Sequence, residues 1–218
     1  MPPIATSGTA RRGGGARAAA RRRTIARRRR RVLAVVGLAA TAFVVILTAP
    51  LFRKAVTEFN LPLTNADVIR QQAAEKHLDP ALIAGVIYAE TKFDPRPSTA
   101  GAQGLMQILP QTAEFLAHKS GATTFTVADL GTPQVNIAYG SYYLRFLLDH
   151  YGGKTVLALA AYNGGEANVD RWVADARRHG HQMTIRAIPF PETRAYVQRV
   201  LHAQRQYRHT YASQLGYR

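Results

Sequence analysis

The chain has 218 residues and no cysteine, which excludes a scaffold held together by disulfides. Its 29 Lys and Arg residues outnumber 13 Asp and Glu residues, and a net charge of +16 suggests a nucleic acid or a membrane surface as partner. The excess is local, however. Eleven arginines lie between Arg11 and Arg31, whereas residues 58–218 hold 16 basic and 13 acidic side chains, a net of +3. The globular part is therefore almost neutral.

Residues 1–31 form a Gly/Ala/Arg segment without acidic residues, which predicts a disordered tail. DNA binding is one interpretation of so many arginines. The segment has no interleaved aromatic side chains for base stacking and directly precedes an apolar run, so we favour a topogenic, lipid-contacting role. No nucleic-acid partner is expected.

Residues 32–52, VLAVVGLAATAFVVILTAPLF, contain no charged side chain. At about 1.5 Å per residue they would span the hydrocarbon core of a bilayer, which is about 30 Å thick. We predict a transmembrane signal anchor here. A cleavable signal peptide is the alternative, but its apolar region is usually shorter, and Pro50 makes a poor cleavage site. The arginines before the span place the N-terminus in the cytoplasm and the remainder of the chain outside.

Residues 64–212 are expected to form one compact domain, joined to the span by a linker at 53–63 and followed by a short tail at 213–218. Apolar residues recur at helical spacing, and no segment alternates as a half-buried strand would. Helix starts are predicted at Thr64 or Asn65, at Asp79 before Pro80 and at Thr132 before Pro133. Further helices are TVLALAAY, EANVDRWVADARRHG and a long final helix after Pro191. The fold is predicted to be mostly α.

Glu90 lies at the end of an apolar helix, ALIAGVIYAE, and is followed by Phe93. Partly apolar surroundings and the negative end of the helix dipole both disfavour the ionised carboxyl, so its pKa should be raised. A glutamic acid that stays protonated near neutral pH suits a general acid for glycosidic cleavage. A structural or simply exposed glutamate is the alternative interpretation.

Polar side chains in two loop regions and on the last helix suit a cleft for an amide-bearing carbohydrate. The segment STAGAQG at 98–104 allows close backbone approach, and LMQ follows it. Aromatic rings stack on sugar faces, while amides bind hydroxyl and acetamido groups. Each side chain has a second interpretation, since Met106 and Tyr196 could be core residues and Asn163 a helix cap. The candidate substrate-binding residues are Ser98, Met106, Gln107, Tyr162, Asn163 and Tyr196.

Taken together, E-T-K-F-D-P, S-x-x-G-A-x-G-L-M-Q, A-Y-N-G-G and E-T-x-x-Y-V closely resemble the catalytic domain of the soluble-lytic-transglycosylase (SLT) type, within the goose-type-lysozyme-like fold. The likeness extends over roughly residues 64–210. It implies a lysozyme-like single domain, preceded here by one transmembrane helix. Glu90 falls on the family's single catalytic acid/base, and the six candidates fall on positions that line its glycan cleft. Thr91 departs from the family's usual serine but keeps the hydroxyl.

The resemblance implies that the enzyme cleaves the β-1,4 bond between N-acetylmuramic acid and N-acetylglucosamine in peptidoglycan. The muramoyl 6-hydroxyl would close the ring to a 1,6-anhydro product. Ordinary glycosidases need a second carboxylate, and the motif loops offer only Asp94, where a turn role before Pro95 is favoured. A hydrolytic muramidase and a non-catalytic wall-binding module remain alternatives.

No cofactor is expected, and the seven histidines show no metal-ligand spacing. The expected partners are peptidoglycan strands and, through residues 32–52, the lipid bilayer. Proteins of cell-wall synthesis or of a secretion machine are further candidates. The chain should reside in the bacterial inner or plasma membrane, with its catalytic domain on the periplasmic or extracytoplasmic side.

Overall fold

The computed structural model describes residues 38, 42–49, 56 and 61–217. It divides into two compact units, Met1–Val56 and Thr57–Arg218. In the first unit residues 42–49 are helical. The predicted tail, most of the predicted span and most of the predicted linker lie outside the described residues. None of the helices in the described ranges is both long and apolar enough to cross a membrane.

The second unit consists of helices joined by short loops. The only extended pairing within residues 61–217 is an isolated antiparallel bridge between Gln103 and Ile108, so the prediction of a mostly α fold is confirmed. Two 3₁₀ turns, Val127–Gly131 and Ile185–Ala187, supplement the α-helices. These helices are α1 (Ala66–Glu75), α2 (Pro80–Thr91), α3 (Pro110–Ser120), α4 (Pro133–His150), α5 (Thr155–Gly164), α6 (Glu166–Arg178) and α7 (Pro191–Thr210).

Helices α2 and α5 form the centre of the domain. Every residue of α2 from 81 to 87 is buried, as is every residue of α5 from 157 to 161. A helix that is apolar on all sides must be surrounded by other elements, because each fully buried large apolar side chain contributes about 1.5–3 kcal/mol. The first polar residues after these apolar runs come where each helix leaves the core. Glu90 and Asn163 both lie at such an exit.

Helix α7 packs closely along α2, and Gly85 permits this approach. A Cβ atom at this position would lie 2.9 Å from the carbonyl oxygen of Val200, a distance that real Cβ contacts do not show. The two helix backbones therefore lie in direct contact at this crossing. As a result, α7 carries Tyr196 past the C-terminal half of α2.

The start of α2 is stabilised by a network centred on Asp79. The Asp79 carboxylate accepts a hydrogen bond from Ala81 N at 3.0 Å, which caps the helix as predicted. It also accepts hydrogen bonds from Gln204, Arg208 and Tyr217, which lie at the C-terminal end of the chain. The C-terminal half of α7 and the segment that follows it are thereby attached to the start of the central helix.

The predicted helix starts are largely confirmed, with two differences. Asn65 is the N-cap of α1, but it has a left-handed backbone, and its side chain donates to Thr64 Oγ1 instead of capping the helix. Helix α3 was not predicted, although Pro110 in its first turn and Gly121 at its C-cap are ordinary boundary signals.

Candidate active site

Glu90 is the penultimate residue of α2, at the position that the sequence predicts. Its side chain lines a cavity of about 380 Å³, together with Thr91, Lys92, Arg96 and Gln107. Because residues 81–87 of α2 are buried and residues 88–91 are only partly buried, the carboxyl stands at the boundary between the core and this cavity. It therefore combines partial burial with access to a ligand.

Burial raises the pKa of Glu90 from 4.5 to about 7. Desolvation is the main cause, while the Tyr196 hydroxyl and the Arg199 guanidinium lower the pKa and offset part of it. The Tyr196 hydroxyl is itself buried and does not reach normal hydrogen-bond geometry with any described group. Its contact with Glu90 is therefore loose. The predicted direction of the shift is confirmed, and at neutral pH a substantial fraction of this carboxyl is protonated.

The chain reverses direction immediately after Glu90 through two left-handed residues. Lys92 and Phe93 have φ angles of 52° and 65°, which are unfavourable for residues with a Cβ atom. The Thr91 hydroxyl secures the turn by donating to the Leu105 carbonyl at 2.9 Å. The Phe93 ring packs against Tyr207, with 5.8 Å between centroids. This turn holds the loop that carries Gln107 against the end of α2.

Asn136, a buried residue of α4, organises that loop from behind. Its Oδ1 accepts from Met106 N at 2.8 Å, while its Nδ2 donates to the carbonyls of Gln103 and Leu130 at 2.8 and 3.1 Å. Gly104, with a φ of 73°, lies so close that a Cβ atom would collide with the Asn136 amide. The close backbone approach predicted for this loop is therefore present, although its partner is a side chain of the protein.

Gln107 joins the Glu90 cavity to a second one. Its Nε2 donates to the carbonyls of Arg96 and Gly104 at 3.1 and 2.9 Å, so the side chain is held in place. The second cavity, of about 350 Å³, is lined by Gln107, Tyr143, Tyr162 and Asn163 among others. The two cavities share Gln107 and form a cleft that extends from Glu90 to the end of α5.

The second cavity has an aromatic wall and an exposed amide. The Tyr162 hydroxyl donates to the Met106 carbonyl at 2.9 Å, and its ring lies 5.3 Å from that of Tyr143. Burial raises the pKa of Tyr143 to about 12, so both hydroxyls are neutral. Asn163 is exposed at the mouth, and the C-cap of α5 is Gly165.

The remaining predicted residues occupy other surroundings. Met106 and Tyr196 are buried, with 0% and 1% of their surface exposed. The Met106 side chain packs against Gly140 in the core, whereas Tyr196 faces Glu90 from beneath the cavity. Ser98 lines neither cavity, and its hydroxyl oxygen accepts from Ala102 N at 2.9 Å. Ser98 thus shapes the turn before the Gln107 loop.

Asp94 also lines the Glu90 cavity, but it is exposed and forms an ion pair with Arg96 at 2.7 Å. This placement agrees with the turn role favoured from the sequence. Within the described ranges, no three His, Asp or Glu side chains lie close enough together to hold a metal ion.

Three residues of the site were not singled out from the sequence. Asn136 supports the loop, Tyr143 lines the second cavity, and Arg199 lies with its guanidinium 6.0 Å from the Tyr196 ring. Arg199 and Tyr196 are three residues apart on α7, so helical spacing could have linked them. The contacts of Asn136 span about thirty residues of sequence and have no local signal.

Comparison with known proteins agrees with this architecture. Residues 67–185, more than half of the chain, match the model of the transglycosylase SLT domain. The chain is 32% identical over 155 residues to a soluble lytic murein transglycosylase of Salmonella typhimurium, covering 70% of this chain and 24% of that one. It is 30% identical to a membrane-bound lytic murein transglycosylase C of Actinobacillus pleuropneumoniae, covering 65% and 45%.

Among solved structures, an inactive glutamate-to-glutamine mutant of the lytic transglycosylase Slt from Pseudomonas aeruginosa superposes with a TM-score of 0.65 at 30% identity. The match covers 72% of this chain and 26% of the Pseudomonas chain. This chain thus spans about a quarter of the length of the Slt proteins that it matches. The helical core is the lysozyme-like core expected from the motifs. The family match includes both the glutamate at the exit of a buried helix and the Gln107 loop on which the cleft is built. The chain therefore belongs to the transglycosylase SLT domain family.

Proposed function

We propose that this protein is a peptidoglycan lytic transglycosylase that forms 1,6-anhydromuramoyl ends. The observation that carries the proposal is the state of Glu90, a carboxyl with a pKa near 7 at the edge of a cleft. A group with this pKa gives up and takes back a proton near neutral pH, which a single acid/base must do in successive steps. The lytic transglycosylase names of the relatives support the same activity.

In the first step, protonated Glu90 donates its proton to the glycosidic oxygen as the bond from that oxygen to C1 breaks. The acetamido oxygen of the substrate then stabilises C1. In the second step, the Glu90 carboxylate accepts the proton of the 6-hydroxyl as O6 bonds to C1, which restores the acid. The inactive glutamate-to-glutamine mutant of the Pseudomonas relative is consistent with a reaction that depends on one glutamate.

The other residues bind and orient the glycan. The Gln107 amide nitrogen is engaged with the protein, so its free Oε1 would accept from an acetamido N–H or a hydroxyl. Asn163 offers a whole amide at the cleft mouth, and the Tyr162 ring provides a stacking surface. Ser98, Met106 and Tyr196 would act from behind these groups, through loop shape, packing and the protonation of Glu90.

Digestion of sacculi in ¹⁸O-labelled water tests the reaction. Intramolecular attack by a correctly held hydroxyl has an effective molarity on the order of 10⁵ M or more, which exceeds that of water. We therefore expect anhydro ends without label in the released muropeptides, measured by mass spectrometry. Labelled reducing ends would identify a hydrolytic muramidase, and the absence of any released product would identify a non-catalytic wall-binding module.

We further propose that residues 32–52 anchor the chain in the inner or plasma membrane, with the domain on the outer side. The uncharged run and the arginines before it support this topology. A reporter fused after the C-terminus should be active only outside the cytoplasm. Release of a mature form that begins near Pro50 would instead establish a signal peptide.

A further inference from the structure

Helix α7 has a buried inner side and a basic outer side. Its buried residues are Thr193, Tyr196, Val197, Val200, Ala203 and Tyr207. Its exposed basic residues are Arg199, His202, Arg205, Arg208 and His209. No acidic residue follows Glu192 in the sequence. Beyond its first turn, the outer side of α7 therefore carries basic side chains with no carboxylate among them.

Four of these basic side chains form no ion pair within the described part of the chain. Arg208 is the exception, because its guanidinium pairs with Asp79. The other four, which we call the basic face of α7, are Arg199, His202, Arg205 and His209. A helix that is apolar inside and basic outside is typical of helices that lie on an anionic membrane surface. A basic face that is only hydrated is the alternative interpretation, so the surroundings of the helix must decide between them.

The chain enters the domain beside the end of α7. The Tyr211 hydroxyl donates to the Leu61 carbonyl at 2.7 Å, and the Tyr207 hydroxyl donates to the Pro62 carbonyl. Tyr207 lies in the last turn of α7, and Tyr211 is the C-cap of this helix. Residues 53–60, which lead from the proposed membrane span, therefore join the domain where the basic face ends.

The tether between the proposed span and the domain is short. It consists of the eight residues 53–60, and an extended chain covers at most about 3.6 Å per residue, so it reaches about 29 Å at most. A short tether creates an effective concentration on the order of millimolar, at which a weak attraction is enough for binding. Each arginine near an anionic leaflet contributes to such an attraction within a Debye length of about 8 Å. The tether therefore favours contact between the basic face and the lipid headgroups.

The basic face points away from the proposed active site. Arg205 follows Tyr196 by nine residues, which is about 2.5 turns at 3.6 residues per turn. The two side chains therefore project from opposite sides of α7, and Tyr196 is the one that approaches Glu90. A membrane on the Arg205 side leaves the cleft free for the substrate.

We propose that the basic face of α7 binds the anionic phospholipid headgroups of the membrane in which the chain is anchored. The partner is the lipid surface itself, which the arginines recognise through its phosphate groups. This inference rests on the proposed membrane anchor and adds an orientation to it. The domain lies with α7 towards the bilayer, and Glu90 is on the far side of this helix.

The test uses the full chain in vesicles, with a fluorescent label on a single introduced cysteine, because the chain has no cysteine of its own. The label position is Gln198→Cys, which lies seven residues before Arg205 and so on the same side of α7. Gln111→Cys on α3 is the matched control, and both glutamines are exposed. The vesicles consist of phosphatidylcholine alone or of an equal mixture with phosphatidylglycerol. A trace of phospholipid in each carries a nitroxide quencher on its headgroup.

The label at Gln198→Cys should be quenched at least about twofold more in the mixture than in phosphatidylcholine alone, because anionic headgroups attract the basic face. Raising the salt concentration from about 0.1 to about 1 M shortens the Debye length from about 10 to about 3 Å, which should remove the difference. The label at Gln111→Cys should be quenched equally in both kinds of vesicle.

Charge reversal identifies the residues that carry the effect. Arg205→Glu/His209→Glu, made in the Gln198→Cys chain, should lower quenching in the mixture to the level of phosphatidylcholine alone. Arg177→Glu/His181→Glu changes the same residue types at the same spacing, and all four side chains are exposed. This matched control should leave the enhanced quenching intact.

Equal quenching of the Gln198→Cys label in both kinds of vesicle, or an enhancement that survives Arg205→Glu/His209→Glu, would overturn the inference. If soluble peptidoglycan strands shield this label from a water-soluble quencher and phosphatidylglycerol has no effect, the face binds the wall, and the inference is also overturned. Flotation tests the anchor separately. A chain that does not float with phosphatidylcholine vesicles after an alkaline wash lacks the proposed anchor, and this inference fails with it. A chain that floats but shows no enhanced quenching refutes only the role of the basic face.

Discussion

The carboxyl groups at the two ends of α2 lie in opposite environments. At its start, Asp79 accepts hydrogen bonds from a backbone N–H, an amide, a guanidinium and a phenol. At its end, Glu90 has only the loose approach of the Tyr196 hydroxyl and the more distant charge of Arg199. Asp79 is therefore surrounded by hydrogen-bond donors, whereas Glu90 is held where burial makes ionisation unfavourable.

The difference shows that one end of the buried helix stabilises the fold, whereas the other end provides the proposed catalytic group. The donors at one end attach residues 204–217 to the start of α2. The other end has few donors, which leaves a carboxyl that exchanges its proton near neutral pH. Four predictions test this separation, and we give them from the largest expected effect to the smallest.

Replacing the carboxyl at the proposed catalytic end should have the largest effect. Glu90→Gln should lower turnover on sacculi at least about a hundredfold, because the amide cannot transfer the proton. Binding to sacculi, measured by co-sedimentation, should persist. Asp94→Asn is the matched control, since this exposed carboxylate shares the same cavity, and it should retain most activity. A Glu90→Gln enzyme with a tenth of wild-type activity would refute the assignment.

Replacing the carboxylate at the start of the helix should change stability and leave chemistry intact. Asp79→Ala removes a helix cap and leaves several donors without an acceptor, so unfolding should become about 3 kcal/mol easier in urea titrations. Asp79→Asn keeps a capping side chain, so its free energy of unfolding should decrease less than that of Asp79→Ala. At 25 °C the folded Asp79→Ala protein should keep its kcat, and a large loss of kcat would show that the two ends are coupled.

The pH dependence of stability should differ between wild type and Glu90→Gln. The pKa of Glu90 is raised from 4.5 to about 7 in the folded state, so between these pH values the native state binds a proton that the unfolded state has lost. The stability of the wild type therefore falls as the pH rises from 4.5 through 7. The shift corresponds to about 3 kcal/mol at most. Relative to pH 4, the free energy of unfolding of Glu90→Gln at pH 8 should therefore exceed that of wild type by about 3 kcal/mol. A constant difference across this range would show that Glu90 ionises as it does in water.

The smallest effect should come from the Tyr196 hydroxyl. This group lowers the pKa of Glu90, so Tyr196→Phe should move the alkaline limb of the activity profile upward. Stability should hardly change, because the hydroxyl that is removed has no partner in normal geometry. Tyr207→Phe is the control, since the Tyr207 hydroxyl donates to the Pro62 carbonyl. That variant should lose about 1 kcal/mol of stability without moving the pH profile.

The sequence predicts those features whose causes are local. Asp79 before Pro80 indicates both a helix start and its cap, and an apolar run that ends at Glu90 indicates both burial and a raised pKa; all of these are present. Helix α3 carried comparable signals at Pro110 and Gly121 and could have been predicted.

Other features depend on contacts between distant segments. The motif around Met106 and Tyr196 was compatible with either core or cleft positions, and only the packing of α4 and α7 places both side chains in the interior. Asn136 supports a loop about thirty residues earlier in the chain, so no window of sequence connects the two. The donors on Asp79 come from residues 204–217, more than a hundred positions away.

The contacts of residues 61–79 with residues 211–217 have a consequence for biosynthesis. Tyr211 donates to the Leu61 carbonyl at 2.7 Å, across 150 positions of sequence, and Tyr217 reaches Asp79 across 138. A polypeptide is made from its N-terminus, so α2 is made long before the Gln204, Arg208 and Tyr217 side chains that engage Asp79. The central helix therefore has its local Asp79 cap but lacks the contacts from residues 204–217 until that segment has been synthesised, so the domain acquires its final structure only then.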